Sequence, residues 1–232
     1  MKNGFNKLWI KFKEKNRDRK NNWVKAYFYK YSYKKLGVKK NILDIGCGVG
    51  HFLELDKKNI IGIDKNFESL LEGEKNCHRL VRGDILELPF TDASFDGINC
   101  SHVIEHFHPD NAYNLLSEMN RVLKVGGIIA ISAPVFGKHF YNDLTHVRPY
   151  YPEAIMHYYD ETKVQRTKNK IKCHYELDEI KWRYEKVPLK PVLFPKAGIL
   201  NTLIILLTEW ISNAGIGKYV QTGYTMILKK IR

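Results

Sequence analysis

The chain has 232 residues, of which 44% are hydrophobic and 27% charged, a balance that suits one soluble α/β domain with a sizeable core. Its four cysteines (Cys47, Cys77, Cys100 and Cys173) are widely spaced and include no Cys-x-x-Cys pair, which argues against a disulfide framework or a zinc knuckle. The formal net charge of +13 favours anionic partners such as nucleic acid, acidic lipid or a phosphorylated substrate. A lysine-rich solvated surface without a specific partner explains this charge equally well.

Residues 1–40 are predicted to form an N-terminal segment that is basic and aromatic. Trp23, Tyr27 and Tyr31 follow each other at four-residue intervals, which places them on one helical face. The simpler interpretation is a helix packed across the core or over the functional site, and the sharper one is a nucleic-acid surface. Because the first residues contain no apolar run of signal-peptide length, we expect a cytoplasmic protein.

From residue 41 onwards, short apolar runs alternate with helical or loop segments, and this pattern predicts a parallel sheet with helices on both faces. The helix Asp110–Lys124 has apolar residues at helical spacing, and Gly126-Gly127 is predicted to end it. The predicted strands are Asn41–Ile45, Ile60–Asp64, Arg79–Arg82, Phe95–Ser101 and Gly127–Ser132.

After Pro134 the pattern is looser. Lys172–Tyr184 and Tyr219–Lys229 are interpreted as a sixth and a closing strand. Between them, Gly198–Ile211 is very apolar but shorter than the roughly 20 residues of a membrane span. It is interpreted as a helix buried on the sheet or in a dimer contact, or as a helix lying on a membrane surface. The domain prediction is therefore residues 41–232, with a helical insertion at about 188–216.

The first predicted strand is followed at once by Gly46, Gly48 and Gly50. Glycine permits both a sharp turn and a close approach of the backbone to a ligand. The spacing is GxGxG with His51 next, rather than the GxGxxG of dinucleotide-binding loops, so this loop alone does not specify the ligand.

Acidic residues end the next two strands, Asp64 after the second and Asp84 after the third. An acid at the end of the second strand is placed to accept hydrogen bonds from ribose hydroxyls. The carboxyl ends of parallel strands meet at one edge of the sheet, where ligands of open α/β sheets bind. The sequence therefore predicts a nucleotide-type site at this edge.

Residues 41–135 resemble the class I S-adenosylmethionine-dependent methyltransferases. Leu43–Gly50 (LDIGCGVG) is similar to their first motif, and Ile63-Asp64 to their ribose-binding acid. The later motifs that carry the resemblance are Gly83–Phe90 (GDILELPF), Phe95–His106 (FDGINCSHVIEH) and Asn120–Gly127 (NRVLKVGG).

The resemblance implies a Rossmann-like, doubly wound, seven-stranded sheet in the order 3-2-1-4-5-7-6 with the last strand antiparallel. It implies S-adenosylmethionine as methyl donor and S-adenosylhomocysteine as product. Asp84 would meet the adenine amine, while His106 would pack behind the cofactor. The full cofactor-binding set implied is Asp44, Gly46, Cys47, Gly48, Gly50, Asp64, Lys65, Asp84, Ile85, Cys100, Ser101 and His106.

The segment Tyr141–Tyr150 follows the fifth strand and so is expected over the mouth of the cofactor site. His146 is the first candidate for a general base that deprotonates the acceptor, with Asp143 orienting it or binding substrate. Arg148 is the candidate for holding an anionic substrate group. The alternative is that His146 and Arg148 only brace this segment. Other histidines near this edge are His102, His106, His108 and His139.

We do not expect a metal site. Ubiquinone-pathway O-methyltransferases and small-RNA 2′-O-methyltransferases carry Glu-x-x-Glu-His and a later histidine, which bind a divalent metal. The matching positions here are His102, Glu105, His106 and His146, so histidine replaces the first glutamate. Histidine suits magnesium poorly.

The sequence thus predicts a methyltransferase that modifies oxygen or nitrogen of a small or lipid-linked metabolite. The second hypothesis keeps the chemistry with RNA as the acceptor. The third is a non-catalytic cofactor-binding or partner-binding protein, and a NAD-linked oxidoreductase is disfavoured by His51. We expect a monomer or homodimer, peripheral to the membrane if residues 198–211 contact it.

Overall fold

A computed structural model of the chain describes residues 24–37, 40–75, 79–137, 140–160, 171–187, 198–213 and 217–232. Seven strands form one sheet in the order β3-β2-β1-β4-β5-β7-β6, which confirms the predicted order. Strand β7 is antiparallel to both β5 and β6, and the other neighbouring pairs are parallel. The strands are β1 (Ile42–Ile45), β2 (Ile60–Asp64), β3 (Leu80–Arg82), β4 (Phe95–Ser101), β5 (Leu123–Pro134), β6 (Tyr175–Val187) and β7 (Lys218–Lys230).

The helices follow the connections between strands, as expected for a doubly wound fold. Helix α2 begins where the Asn66 side chain accepts hydrogen bonds from Glu68 N and Ser69 N, and α3 has proline at its first position. The helices are α1 (residues 24–36), α2 (Phe67–Glu74), α3 (Pro109–Val122), α4 (Pro152–Tyr158) and α5 (Gly198–Asn213), with 3₁₀ turns at Leu53–Leu55, Ile104–His106 and Phe140–Asn142.

Two hydrophobic clusters cover the two faces of the sheet. Successive side chains of a strand point to opposite faces, so Leu43 and Ile45 join one cluster while Ile42 joins the other. Helices α3 and α4 pack in the larger cluster, whereas Leu36 of α1 packs in the smaller one.

The N-terminal helix α1 packs against the core over its described length. Ser32 and Leu36 are buried, and the ring of Tyr29 contacts Phe52 edge to face at 5.8 Å between centroids. Of the predicted aromatic face, Tyr31 is partly buried against the core and Tyr27 is 42% exposed. Trp23, the third residue of that face, lies outside the described residues.

The end of helix α3 corrects one expectation. The helix ends at Val122 rather than at Lys124, because Leu123 N already closes the last turn on Met119 O. Lys230 Nζ of β7 then donates to Asn120 O at 2.7 Å and to Leu123 O at 2.9 Å. A lysine from a distant strand therefore caps the helix by donating to these terminal carbonyls. Gly126-Gly127 do not end the helix; they lie within β5, at a shift in its register with β4.

The last two strands are longer than β5 and extend beyond its end. Strand β6 pairs with β7 along its whole length, from Tyr175 opposite Lys230 to Val187 opposite Lys218. Both ends of β6 lie three residues later in the chain than the ends of the predicted sixth strand, Lys172–Tyr184. Pairing of β5 with β7 stops at Pro134 and Gly223. Residues 218–222 of β7 thus project past β5 at the edge where the cofactor was predicted. Among the described residues, no helix is both long and apolar enough to cross a bilayer.

Candidate active site

The glycine loop forms one wall of the site, directly after β1. Gly46 has a φ of +68°, and a Cβ atom there would lie 2.5 Å from Val103 Cγ2, so this position requires glycine on two grounds. Gly46 N and Cys47 N both donate to Ile63 O, at 2.9 and 3.1 Å. These hydrogen bonds tie the loop to β2.

The acids at the ends of β2 and β3 stand beside this loop. Asp64 Oδ2 accepts from Gly48 N at 2.9 Å, and its Oδ1 accepts from Asn66 N at 2.8 Å. Asp84 Oδ1 accepts from Leu86 N at 2.9 Å. A carboxylate has about four lone-pair sites, so Asp64 retains acceptor capacity for the hydroxyl groups of a ribose.

A pocket of about 550 Å³ opens between these elements, and we call it the cofactor pocket. The twelve predicted cofactor-binding residues fall into two groups of six. The first group lines this pocket: Gly46, Asp64, Lys65, Asp84, Ile85 and His106. The other six (Asp44, Cys47, Gly48, Gly50, Cys100 and Ser101) lie in β1, in β4 or in the loop itself and support its walls. The glycine cradle and the acids fit the nucleoside of S-adenosylmethionine.

Asp44 is the most perturbed acid of the site. It is 4% exposed, and Asn99 Nδ2 donates to its Oδ1 at 2.7 Å. Burial raises its pKa from 3.8 to about 7, the Asn99 hydrogen bond opposes this rise, and the charge of Asp64 adds to it. Asn99 lies on β4, next to β1 in the sheet, and the sequence offered no signal for this pairing.

A second cavity of about 520 Å³ lies next to the end of β5, and we call it the apolar cavity. Its walls come from β5, the segment after it, and the projecting ends of β6 and β7. The residues lining it include Pro134, Val135, Phe136, Phe140, His146, Lys186, Val187 and Val220.

His146 belongs to the apolar cavity and His106 to the cofactor pocket, and their rings contact each other with centroids 4.9 Å apart. His146 Nδ1 donates to Phe140 O at 2.7 Å, which leaves the lone pair on Nε2. The prediction that Asp143 orients His146 needs correction, because Asp143 Oδ2 lies 3.9 Å from His146 Nε2, beyond hydrogen-bond distance.

Asp143 instead orients His106, through Thr145. His106 Nδ1 donates to Thr145 Oγ1 at 2.9 Å, and Thr145 Oγ1 donates to Asp143 Oδ1 at 2.6 Å. The Thr145 hydrogen bonds lower the pKa of Asp143. The segment after β5 therefore fixes both histidine rings, each by its own Nδ1.

Arg148 does not reach either cavity. Its guanidinium lies over the Tyr150 ring, 5.2 Å from the centroid, and it lines a separate cavity of about 160 Å³ beside α3 and α4. The structure therefore places Arg148 outside both cavities, and its role in holding an anionic substrate group stays a prediction. His108 is exposed at the start of α3, and His139 lies outside the described residues.

A polar network that joins β6 to the turn after β4 was not predicted. Arg183 Nη1 of β6 donates to His102 Nε2 at 2.8 Å, and His102 Nδ1 donates to Glu105 Oε1 at 3.1 Å. His102 has a φ of +57°, and the Glu105 side chain is fully buried. Since Arg183 is 81 residues from His102, nothing in the local sequence pointed to the pairing.

His102 is not available as one of the metal ligands that the resemblance suggested, because both of its ring nitrogens form hydrogen bonds. Glu105, His106 and His146 each offer one ligand atom within 4.8 Å of one another. Glu105 Oε2 is buried and has no hydrogen-bond partner among the described residues. The expectation that no metal is needed stays a prediction.

The sheet order, the glycine loop and the acids on adjacent strand ends together define a class I methyltransferase fold with a nucleoside-binding edge. Residues 43–131 match the family model described as a methyltransferase domain. An S-adenosylmethionine-dependent methyltransferase of Archaeoglobus fulgidus superposes with a TM-score of 0.62 and 27% identity, covering 90% of this chain and 94% of that one. Residues 43–131 therefore form a methyltransferase domain, and the fold around them is that of the S-adenosylmethionine-dependent methyltransferases.

Curated relatives match over shorter stretches. The demethylmenaquinone methyltransferase of Staphylococcus aureus is 37% identical over 133 residues, which are 50% of this chain and 54% of the relative. The sterol 24-C-methyltransferase of Aspergillus fumigatus is 30% identical over 116 residues, 44% of this chain and 30% of the relative. The chain thus spans about half the length, or less, of these relatives.

Proposed function

We propose that this protein transfers a methyl group from S-adenosylmethionine to oxygen or nitrogen of a small molecule bound in the apolar cavity. One observation carries the proposal: the cofactor pocket and the apolar cavity adjoin at the contact between His106 and His146. A donor bound on one side and an acceptor on the other would meet across this contact, which is the alignment that transfer between two bound molecules requires.

The donor side is served by backbone and carboxylate groups. Asp64 and the glycine loop would hold the ribose, and Asp84 with Ile85 would hold the adenine, since these residues line one pocket. When bound, S-adenosylmethionine supplies an electrophilic methyl group on a sulfonium, which the protein needs only to align.

The acceptor side is served by His146. Its Nδ1 is held by Phe140 O, so Nε2 carries the lone pair and can take the proton of an acceptor hydroxyl or amine. The side chain is 13% exposed, so it keeps a path to solvent by which the proton can leave. His146 therefore acts as general base.

The shape and chemistry of the cavity support an acceptor with an apolar body. Six of its twelve lining residues are aliphatic, aromatic or proline, and polar ones such as Glu185, Gln221 and Thr222 could orient a substrate. Two relatives are named for demethylmenaquinone and sterol substrates, which agrees with such an acceptor.

Cofactor binding is tested by thermal unfolding of the full chain with S-adenosylmethionine, S-adenosylhomocysteine or NAD. Ligand at about 100 times its Kd stabilises the folded state by about 2.7 kcal/mol, so the first two should raise Tm and NAD should not. Asp64→Ala should abolish most of this shift, and the exposed Glu72→Gln on α2 should keep it. No shift with either sulfur ligand would overturn the proposal.

Transfer is tested by incubating the protein with methyl-labelled cofactor and fractionated cell extract. Label should enter a small-molecule fraction, and His146→Gln should prevent this. Cofactor binding without transfer to any fraction would instead support a non-catalytic binding protein, and label in RNA would support the RNA hypothesis.

A further inference from the structure

We propose that α5 adsorbs to the surface of an anionic membrane, and that a lipid of that membrane enters the apolar cavity as the methyl acceptor. Adsorption stands on the apolar face of α5 and on the lysines of the sequence that flanks it. The second half of the proposal rests on the proposed function and narrows its substrate class.

Helix α5 presents a continuous apolar face to solvent. Ile199, Leu203, Leu206 and Trp210 recur at intervals of three or four residues, and they are 83%, 58%, 58% and 68% exposed. Leu200 and Leu207 border this face and are also more than half exposed. Scattered surface leucines are ordinary, whereas a contiguous face of this size marks an interaction surface.

The side of α5 opposite this face holds Asn201, Ile204 and Thr208 at 100° per residue, and these side chains are only partly exposed. Thr208 Oγ1 donates to Ile204 O at 2.7 Å, so its hydroxyl group is satisfied within the helix. With 16 residues, α5 is about 24 Å long, and its exposed apolar face suits a helix that lies in the plane of a membrane surface.

Charge selects an anionic lipid surface as the occupant of this face. Between residues 186 and 218 the sequence contains four lysines (Lys186, Lys190, Lys196 and Lys218) and one acid, Glu209, in a chain of net charge +13. Lysines close to an anionic bilayer strengthen adsorption of an amphipathic helix. Trp210 and Tyr219, which is 57% exposed, are amphipathic rings of the kind enriched at membrane interfaces.

The apolar cavity is built from the two strands that α5 connects. Val187 ends β6 and Lys218 begins β7, and these residues are paired. Val187, Lys186 and Val220 line the cavity together with His146. A lipid that leaves the membrane beside α5 would therefore meet the strand ends that wall this cavity, which the candidate base also lines.

Adsorption is tested by co-sedimentation of the full chain with vesicles of phosphatidylcholine alone, or of phosphatidylcholine with phosphatidylglycerol. Binding should require phosphatidylglycerol and weaken with salt. Leu206→Asp, in the middle of the apolar face, should weaken binding by about tenfold or more, because it places a charge at the apolar boundary. Ile205→Asp is the matched control, since Ile205 lies one residue, or about 100° around the helix, away from Leu206 and outside the apolar face.

The outcomes separate the two halves of the proposal from the proposed function. No sedimentation with anionic vesicles, or equal loss in Leu206→Asp and Ile205→Asp, would overturn adsorption, while the thermal shift with S-adenosylmethionine reports cofactor binding independently. A dimer that Leu206→Asp dissociates, without vesicle binding, would assign the face to a second copy. Label transferred only to water-soluble extract would overturn the lipid acceptor.

Discussion

The rings of His106 and His146 meet edge to face at 4.9 Å, one lining the cofactor pocket and the other the apolar cavity. They come from two segments 40 residues apart, the 3₁₀ turn after β4 and the chain after β5. Backbone carbonyl and threonine groups hold both rings by Nδ1. This relationship places a base candidate between two cavities that would otherwise be unrelated.

Replacing His146 should separate catalysis from cofactor binding. His146→Gln should lower kcat by roughly 10²–10⁴-fold, the usual contribution of a general base, and leave the Kd for S-adenosylmethionine unchanged because the residue does not line the cofactor pocket. Labelled transfer and calorimetric titration measure the two quantities. His157→Gln, an exposed position on α4, is the control, and wild-type turnover in His146→Gln would reject the base assignment.

Asp44 should make stability depend on pH. Its pKa rises from 3.8 to about 7 on folding, so the protonated form is favoured in the folded state. This contribution to the free energy of unfolding is fully present below about pH 4 and is lost as the pH rises through 7. Because one pKa unit corresponds to about 1.36 kcal/mol, the change amounts to about 4 kcal/mol over that window.

Asp44→Asn should therefore gain stability relative to the wild type between pH 4 and pH 7, and keep that gain above pH 7. Thermal unfolding of both proteins across this range measures the difference. The exposed Glu72→Gln variant should track the wild type at each pH. A difference between Asp44→Asn and wild type that does not change with pH would contradict the assigned pKa.

Lys230 should be a stabilising residue although it lies far from the site. Lys230→Met removes two hydrogen bonds to carbonyls at the end of α3 and should lower the free energy of unfolding by about 1–3 kcal/mol. For a chain of this length, each kcal/mol corresponds to roughly 2–4 °C in Tm. Lys229→Met, at the exposed neighbouring position, should cost little. Equal losses of stability in the two variants would show that the loss of a positive charge, rather than the loss of hydrogen bonds to the end of α3, destabilises the protein.

Chelation tests the expectation that no metal is needed. The ligand atoms of Glu105, His106 and His146 group within 4.8 Å, whereas ligand atoms of a tetrahedral zinc site with bonds of about 2.1 Å lie roughly 3.4 Å apart. Methyl transfer should therefore be unchanged after dialysis against EDTA. Activity that is lost with EDTA and restored by Zn²⁺ or Mn²⁺ would assign a metal to these three residues.

Local sequence was sufficient for much of the fold and of the cofactor side. Short apolar runs ending in Asp64 and Asp84 predicted strands whose polar ends line one pocket, because strand residues alternate and parallel strands end at one edge. The GxGxG loop was recognisable because only glycine tolerates the φ of Gly46 and its contact with Val103.

Tertiary packing decided the rest. The Asp44–Asn99, Arg183–His102 and Lys230–Asn120 hydrogen bonds join residues between 55 and 110 positions apart, and each follows from which strands become neighbours. The same holds for Asp143, which the sequence placed with His146 at three-residue spacing and the folded chain directs to Thr145 and His106. Sequence alone predicted a nucleoside site at this edge of the sheet, because that site is built from single strand ends and their loops. Only the tertiary structure brought the apolar cavity and His146 next to it, because their walls come from β5, β6 and β7, which pair across long separations in the chain.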